Sequence, residues 1–265
     1  MKVGVFDSGF GGLTVLRALL ERLTGADYVY LGDSARLPYG SKSARTVAHY
    51  AASSAKFLYS QGIELLVVAC NTASAMALGE MRAAAPVEVI GVIEPGALQA
   101  KAVSKNGRVG VLATAATVST HAYAAALQKL GMEAEEKACP LLVPLVEEGW
   151  VEHSVTEQVL DIYLGEMMAS CEQRWGGGKW PDTLVLGCTH YPLLKALIER
   201  RAPRPMALVD SAEAIAREVG AMVGGGGGSG KLEFFATDSL EKFRILGARF
   251  LGREIGEVRL VELPE

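Results

Sequence analysis

Short apolar runs alternate with amphipathic stretches along most of the chain. The runs KVGVF, YVYLGD, ELLVVAC and VEVIGVI have the length and β-branched content of buried strands, and segments such as LTVLRALLERL, TVAHYAASSAKFLYSQ and TASAMALGEMRAAA have helical periodicity. A second series contains the strands RVGVLAT and DTLVLGC and the helices VSTHAYAAALQKL and YPLLKALIERRA. This alternation predicts an α/β protein with mostly parallel sheets and helices on both faces.

The two series resemble each other. VGVFDSG matches VGVLATA in position and pattern, and LLVVACNTAS matches TLVLGCTHYP. We therefore expect two similar α/β domains related by duplication, with a site in the cleft between them, although any two α/β units share some of this likeness. The expected limits are 1–93 plus 208–265 for the first domain and 94–207 for the second. Two crossovers between the domains would form a hinge, and a hinge would let the cleft close.

Composition narrows the class of protein. The 265 residues are 50% hydrophobic and 21% charged, with a net charge of -4, which suits one large or two modest globular domains. A nucleic-acid-binding domain is expected to be basic, so nucleic acid is not an expected partner. No apolar run reaches the roughly 20 residues that span a membrane, and the chain starts directly with a strand rather than a secretory leader. We expect a soluble, cytoplasmic protein without a membrane partner.

Glycines cluster at three places. The first, Asp7 to Gly12, follows a strand and opens a helix, so its N–H groups suit a carboxylate or phosphate, and its glycines would ordinarily serve a tight turn with positive φ. Asp7 stands at the carboxyl end of its strand, where open α/β sheets bind ligands. The runs at 176–178 and 224–230 predict surface loops, and neither has the sequence of a P-loop.

Four cysteines carry the candidate chemistry: Cys70, Cys139, Cys171 and Cys188. They form no CxxC pair and no compact metal-ligand spacing, so neither disulfides nor a metal is expected. Cys70 and Cys188 each end a strand and precede small polar residues, Asn71-Thr72 and Thr189-His190. A helix N-terminus there would lower the pKa of each thiol. Packing in the core is the ordinary role of a buried cysteine, and it is our interpretation of Cys139 and Cys171.

Two thiols at equivalent strand ends suggest a specific reaction. Inversion of a stereocentre through a planar carbanion requires removal of a proton on one face and delivery on the other. Two acid/base groups, one from each domain, can flank a substrate held between them, and positioned acid–base catalysis contributes roughly 10²–10⁴-fold. Electrostatic stabilisation of the carbanion in a dry cleft would supply the rest.

Seven motifs carry a resemblance to a known family. In chain order they are GVFDSGFGGLTV, DSARLPYG, VVACNTASA, VIEPG, CPLLVPLVEEG, LVLGCTHYPLL and LVDSA. Together, from Val3 to about Gly252, they closely resemble the bacterial glutamate racemases of the Asp/Glu racemase superfamily. The Cys-Thr-His triplet is similar to the glutamate branch, since the aspartate branch usually carries Glu at the third place.

The resemblance implies roles for individual residues. Cys70, assisted by Asp7, would be the base toward D-glutamate, and Cys188, assisted by His190, the base toward L-glutamate. Glu147 would be a further acid near the second thiol, in preference to Glu148, and Asp33 would be a more structural acid. The substrate-binding residues would be Asp7, Ser8, Tyr39, Gly40, Asn71, Thr72, Thr114, Thr117 and Thr189. The family needs no pyridoxal phosphate or other cofactor, forms homo-oligomers, here expected to be a dimer, and supplies D-glutamate for peptidoglycan.

Three other functions remain open from the sequence. The first is another superfamily member, such as an aspartate or hydantoin racemase or a decarboxylase, because one methylene in a pocket is worth only about 1–3 kcal/mol. The second is a nucleotide-binding module at the Asp7 turn, with Asp33 toward a ribose, although the glycine spacing does not fit. The third is a thiol hydrolase using Cys188 and His190, which would leave Cys70 without a role.

Overall fold

The computed structural model describes residues 1–223 and 228–264, and its elements alternate as the pattern predicts. The strands are β1 Lys2–Asp7, β2 Asp27–Gly32, β3 Leu65–Val68, β4 Glu88–Gly91, β5 Arg108–Ala113, β6 Glu133–Ala138, β7 Thr183–Gly187, β8 Ala207–Asp210, β9 Leu232–Ala236 and β10 Val258–Leu260. The helices are α1 Leu13–Arg22, α2 Ala44–Ser60, α3 Asn71–Met76, α4 Leu78–Ala84, α5 Ile93–Val103, α6 Ala115–Ser119, α7 Ala122–Lys129, α8 Leu142–Glu147, α9 Ser154–Trp175, α10 Lys195–Arg201, α11 Ser211–Val223 and α12 Leu240–Leu251. Short 3₁₀ turns lie at Ser34–Arg36, Tyr39–Ser41 and Tyr191–Leu194.

The strands form two parallel sheets with matching topology. The larger sheet has the order β10-β9-β2-β1-β3-β4, and the smaller has the order β6-β5-β7-β8. The segment β2-β1-β3-β4 of the first therefore corresponds to β6-β5-β7-β8 of the second. This correspondence confirms the expected pair of similar α/β domains with parallel sheets.

This strand order decides where each sheet can bind a ligand. In the larger sheet the chain continues from β1 to β2 on one side and from β3 to β4 on the other. In the smaller sheet it continues from β5 to β6 on one side and from β7 to β8 on the other. The loops after two such strands part from each other, which opens a crevice at their carboxyl ends. Both crevices contribute to the site described below.

Helices cover both faces of the larger sheet. On one face α1 contacts α11 and α12, and on the other α2 packs against α3 and α4. The inward-facing strand residues are buried on both sides, as in Phe6 and Val67, which explains why these strands read as continuous apolar runs. The α1 face belongs to an apolar cluster that continues into the second domain through Leu184 and Leu186. The two domains thus share part of one core.

The structure differs from the sequence prediction in three local features. Strand β6 is absent from the prediction because its residues, EAEEKA, are largely charged and only partly buried at a sheet edge. The helix predicted from Thr72 to Ala85 is broken at Ala77, whose φ of -137° is not helical, so that α3 and α4 are separate. The helix predicted from Val118 is likewise broken at His121, which adopts the left-handed conformation.

The predicted return to the first domain at residue 208 needs correction. Strand β8 spans this position and pairs with β7 in the smaller sheet. The sheet pairing therefore keeps the chain in the second domain until Asp210, and α11, which packs on α1, begins the return. Of the predicted glycine loop at 224–230, residues 224–227 lie outside the described part of the chain. Within the described ranges, no helix is both long and apolar enough to cross a membrane.

Candidate active site

The carboxyl ends of β1 and β3 bring Asp7, Ser8 and Cys70 together. The Cys70 Sγ lies 3.4 Å from the Ser8 hydroxyl, to which it donates, and accepts the Ala73 N–H at 3.4 Å. Asp7 is buried, and one carboxylate oxygen accepts the Gly9 N–H at 2.9 Å. Among the described residues, its other oxygen has no hydrogen-bond partner.

Burial determines the protonation of this half of the site. Burial, together with the negative charge of Asp7, raises the pKa of Cys70 to about 12, so the thiol is protonated at neutral pH. The lowered pKa that we expected from a helix N-terminus is therefore wrong for Cys70. The following helix, α3, has only six residues, and burial outweighs its effect. Burial also raises the pKa of Asp7, against the nearby charge of His190.

The glycines of the first turn are needed because a side chain would not fit there, and not because the backbone adopts a positive φ. Neither Gly11 nor Gly12 has a positive φ. A Cβ on Gly11 would lie 2.2 Å from the Thr189 hydroxyl and 2.6 Å from the His190 Nδ1, and one on Gly12 would lie 2.5 Å from the Asp7 Cβ. Gly11 thus lets the Cys188 turn of the second domain approach the Asp7 turn of the first, and Gly12 leaves room for the Asp7 side chain within the first domain.

A chain of polar contacts extends from Cys188. Its Sγ lies 3.9 Å from the Nδ1 of His190, whose Nε2 lies 3.3 Å from a carboxylate oxygen of Glu147. The other oxygen of Glu147 lies 3.6 Å from the Nζ of Lys242, which belongs to α12 in the tail of the first domain. The ring of Phe250, also on α12, packs edge-on against His190 with centroids 4.9 Å apart.

This contact chain favours a charged imidazole. Burial lowers the pKa of His190, but the hydrogen bonds and negative charges of Cys188 and Glu147 outweigh burial and raise the pKa to about 10. Burial raises the pKa of Glu147, but His190 and Lys242 outweigh it, and the net shift is downward. At neutral pH the pair is an imidazolium beside a carboxylate.

Hydroxyl and amide groups join the two domains beside the thiols. The hydroxyls of Thr72, Thr114 and Thr117 form a triangle with oxygen separations of 3.0 to 3.2 Å. Thr72 belongs to the first domain and the other two to the second. Across the same boundary, the Tyr123 hydroxyl donates to the Asn71 Oδ1 at 2.6 Å.

A cavity of about 310 Å³ lies between these groups and contains both thiols in its wall. Its volume suits a small-molecule ligand. The predicted site residues that line it are Ser8, Tyr39, Gly40, Cys70, Asn71, Thr72, Thr114, Glu147, Cys188, Thr189 and His190.

Asp7 and Thr117 lie outside the wall, the first beneath the turn that carries Ser8 and the second behind Thr72 and Thr114. Asp33 is buried and accepts the Tyr39 hydroxyl at 2.5 Å, so it contacts a wall residue rather than the cavity.

Sequence reasoning missed part of the cavity. The motifs contain further wall residues whose place in the cavity no local pattern indicates, namely the apolar Phe10, Leu37, Pro38, Pro140, Val143 and Pro144. Lys242 and Phe250 stand near the C-terminus, where nothing in the local pattern indicates a contact with His190 or Glu147. Glu148, the less favoured acid, also lines the cavity, but it is exposed and has no contact with His190 of the kind that Glu147 makes.

Comparison with known proteins identifies the family of the chain. The family model of the Asp/Glu/Hydantoin racemases matches residues 3–219. The glutamate racemase of Koribacter versatilis is 49% identical, over 98% of this chain and 97% of its own length.

Two solved structures are also similar to the chain. A glutamate racemase isoform from Bacillus anthracis is 34% identical, has a TM-score of 0.90, and is matched over 99% of this chain and 97% of its own. The glutamate racemase of Francisella tularensis, solved in complex with D-glutamate, is 34% identical with a TM-score of 0.88, over 98% and 97% of the two chains. On this evidence the chain belongs to the Asp/Glu/Hydantoin racemase family.

Proposed function

We propose that the protein is a cofactor-independent glutamate racemase in which Cys70 and Cys188 act on opposite faces of the substrate Cα. The observation that carries the proposal is the cavity of about 310 Å³, because each domain contributes one free thiol to its wall. A single acid/base group reaches one face of a carbon centre, whereas two groups from opposing domains reach both. The substrate is proposed from the similarity to glutamate racemases over nearly the full length of the chain.

In the L-to-D direction the groups beside the two thiols favour the reaction. The charge on His190 stabilises negative charge on the sulfur of Cys188, which takes the α-proton of L-glutamate. Cys70 holds a proton at neutral pH, because burial and Asp7 raise the pKa of its thiol, and it delivers that proton to the opposite face. The product is D-glutamate, and the sulfurs have exchanged protonation states.

In the D-to-L direction Cys70 must first lose its proton. Asp7, the buried acid beside it, is the group placed to assist, since one of its oxygens has no hydrogen-bond partner among the described residues. The Cys70 thiolate then takes the α-proton of D-glutamate. Cys188, protonated by the neighbouring His190 imidazolium, delivers a proton to the opposite face. After either direction, exchange with solvent restores the resting distribution of protons.

The cavity can hold two carboxylates with neutral donors. Ser8, Asn71, Thr72, Thr114 and Thr189 supply hydroxyl and amide groups, and no Lys or Arg is among the described residues of the wall. The apolar residues of the wall exclude water, so the hydrogen bonds act in a medium of low dielectric, which strengthens stabilisation of the carbanion. A role in supplying D-glutamate for peptidoglycan, a cytoplasmic location and a homodimer belong to the same proposal, and their support is the family resemblance.

Circular dichroism tests the reaction directly. Purified protein without added cofactor should bring L-glutamate and D-glutamate to the same racemic end point. In D₂O the product should carry deuterium at Cα, because the thiol proton exchanges with solvent. Absence of interconversion would rule out the proposed function.

Serine substitutions test the two thiols. Cys70→Ser and Cys188→Ser should each abolish racemisation, whereas Cys171→Ala, at a buried thiol outside the cavity wall, should remain active. Full activity in either serine variant would refute the two-base mechanism.

A further inference from the structure

Tyr123 lies behind the cavity wall and takes no part in the proposed proton transfers. It is fully buried in α7 of the second domain. A Cβ on Gly96 would come within 3.2 Å of its ring, and one on Gly187 within 3.0 Å. Both glycines therefore leave room for the ring, and Gly187 directly precedes Cys188. This packing holds the phenol in one position.

The phenol makes its contact with the first domain at Asn71. Its hydroxyl donates to the Asn71 Oδ1 at 2.6 Å, a short hydrogen bond between buried groups. Burial raises the pKa of Tyr123 above its ordinary value, so the hydroxyl keeps its proton and remains a donor. An amide nitrogen cannot accept this proton, and the bond therefore selects the rotamer in which Oδ1 faces Tyr123.

The opposite end of the same amide lacks a partner. Asn71 is 2% exposed and lines the cavity, and its Nδ2 has no hydrogen-bond partner among the described residues. A buried donor without an acceptor is unfavourable, because it has lost its hydrogen bonds to water. A carboxylate oxygen in the cavity would satisfy it, since a carboxylate only accepts hydrogen bonds.

We infer that Tyr123 is a positioning residue that holds the Asn71 amide with its N–H groups toward a substrate carboxylate. Without the phenol hydroxyl, the Asn71 amide can rotate by half a turn and present Oδ1 to the substrate carboxylate. The two acceptor oxygens would then repel each other. The inference rests on the proposed function, because the carboxylate is that of glutamate. Tyr123 of the second domain would thus take part in substrate binding by Asn71 of the first domain.

Tyr123→Phe tests this inference, because it removes the hydroxyl and keeps the ring. We expect KM for both enantiomers to rise about tenfold, while kcat falls less than about threefold. Since the enantiomers have equal free energy, kcat/KM should fall equally in both directions. Tyr28→Phe is the matched control, because Tyr28 is also buried but lies away from the cavity. Its hydroxyl donates to the backbone carbonyls of Leu19 and Leu23, and removal of this hydroxyl should change KM less than about twofold.

A double-mutant cycle separates positioning from a general structural effect. If Tyr123 acts through Asn71, Tyr123→Phe should have almost no further effect on KM in an Asn71→Ala background. An equal loss in both backgrounds would overturn the inference, and so would a wild-type KM in Tyr123→Phe. A wild-type protein that interconverts neither enantiomer would instead overturn the proposed function and the substrate contact with it.

Asn71→Asp provides a second measurement that leaves Tyr123 intact. The phenol would still bind one side-chain oxygen, and the second oxygen would replace the N–H groups that face the cavity. We expect kcat/KM to fall more than about 100-fold, because an acceptor with negative charge then faces the carboxylate. An unchanged kcat/KM would show that these N–H groups do not bind substrate.

Discussion

Cys70 and Cys188 occupy equivalent positions in their sheets, yet different ionisable groups surround them. Beside Cys70 stands Asp7, a buried acid whose pKa is raised by burial. Beside Cys188 stands His190, whose pKa is raised to about 10 and whose second nitrogen contacts Glu147. The first thiol is thus held protonated, and the second faces a positive charge. Two similar sheets therefore present a protonated thiol on one side and a thiol beside an imidazolium on the other.

The difference follows from what covers each strand end. On the Asp7 side, burial of the carboxylate outweighs the charge of His190 and the backbone N–H groups of the turn, so the pKa of Asp7 is raised. The His190 side is covered by α12, which brings Lys242 to Glu147 and Phe250 to the imidazole ring. Similar strands therefore carry different chemistry because elements distant in the sequence pack on them.

The largest expected effect is on the Cys188 side. His190→Asn should lower kcat for racemisation by about 10²–10⁴-fold, because it removes the positive charge beside the sulfur. Elimination of chloride from β-chloroalanine needs proton abstraction on one face only, so it can report on each side separately. Pyruvate formation should fall strongly for the L enantiomer and little for the D enantiomer.

His49→Asn, at an exposed histidine of α2, is the control and should behave as wild type. Equal losses for both β-chloroalanine enantiomers in His190→Asn would contradict the assignment of His190 to Cys188.

Asp7→Asn should show the reverse pattern, with a loss of about 10²-fold in elimination from the D enantiomer. It should also stabilise the fold at neutral pH. The folded pKa of Asp7 is raised above 3.8, so the ionised carboxylate disfavours the folded state once the pH exceeds that value. The stability gain in Asp7→Asn, measured by urea denaturation, should therefore grow as the pH rises above 4 and become constant once the pH exceeds the folded pKa of Asp7. A gain that shrinks over this range would contradict the raised pKa.

Glu147→Gln should lower the free energy of unfolding by about 1–2 kcal/mol near pH 7, because it removes the negative charge from the hydrogen bond with the His190 imidazolium. Because the pKa of His190 is raised in the folded protein, its contribution to the free energy of unfolding is complete below pH 6.5 and is lost as the pH rises through about 10. Because the pKa of Glu147 is lowered in the folded protein, its contribution to the free energy of unfolding is present above pH 4.5 and is lost as the pH falls through its folded pKa.

The stability difference between wild type and Glu147→Gln should thus be greatest between these limits. Glu148→Gln is the matched control, and a similar loss in that variant would argue against a specific role for Glu147.

Lys242→Met should have the smallest effect, about twofold to fivefold on kcat, because the lysine side chain is 54% exposed and acts on Cys188 only through Glu147 and His190. The effect should decrease at high salt, as screening weakens the ion pair in wild type. Lys195→Met, which removes an ion pair with Glu213 away from the cavity, should leave kcat unchanged. A loss as large as that of His190→Asn would show that Lys242 has a more direct role.

The local pattern was sufficient to predict the strand ends and the residues that follow them. Cys70 and Cys188 end apolar runs that fold as β3 and β7, and parallel sheets place ligands at such ends. Glu147 could be proposed only through the family resemblance, because its helix carries no other sign of the contact with His190. Strand β6 escaped prediction, since an edge strand with charged residues lacks the apolar pattern of a buried one. The apolar pattern of β8 predicts a strand, but such a pattern does not indicate which of the two sheets the strand joins.

The amino-acid sequence by itself determined the α/β class, the two thiols at equivalent strand ends and the family, because each depends on patterns within short segments. Only the tertiary structure decided which groups lie against each thiol. Burial raises the pKa of Cys70 instead of lowering it, and Lys242, Phe250 and Tyr123 reach the site across the domain boundary. Such contacts depend on how two domains pack after the chain has crossed between them, and no local periodicity records that packing.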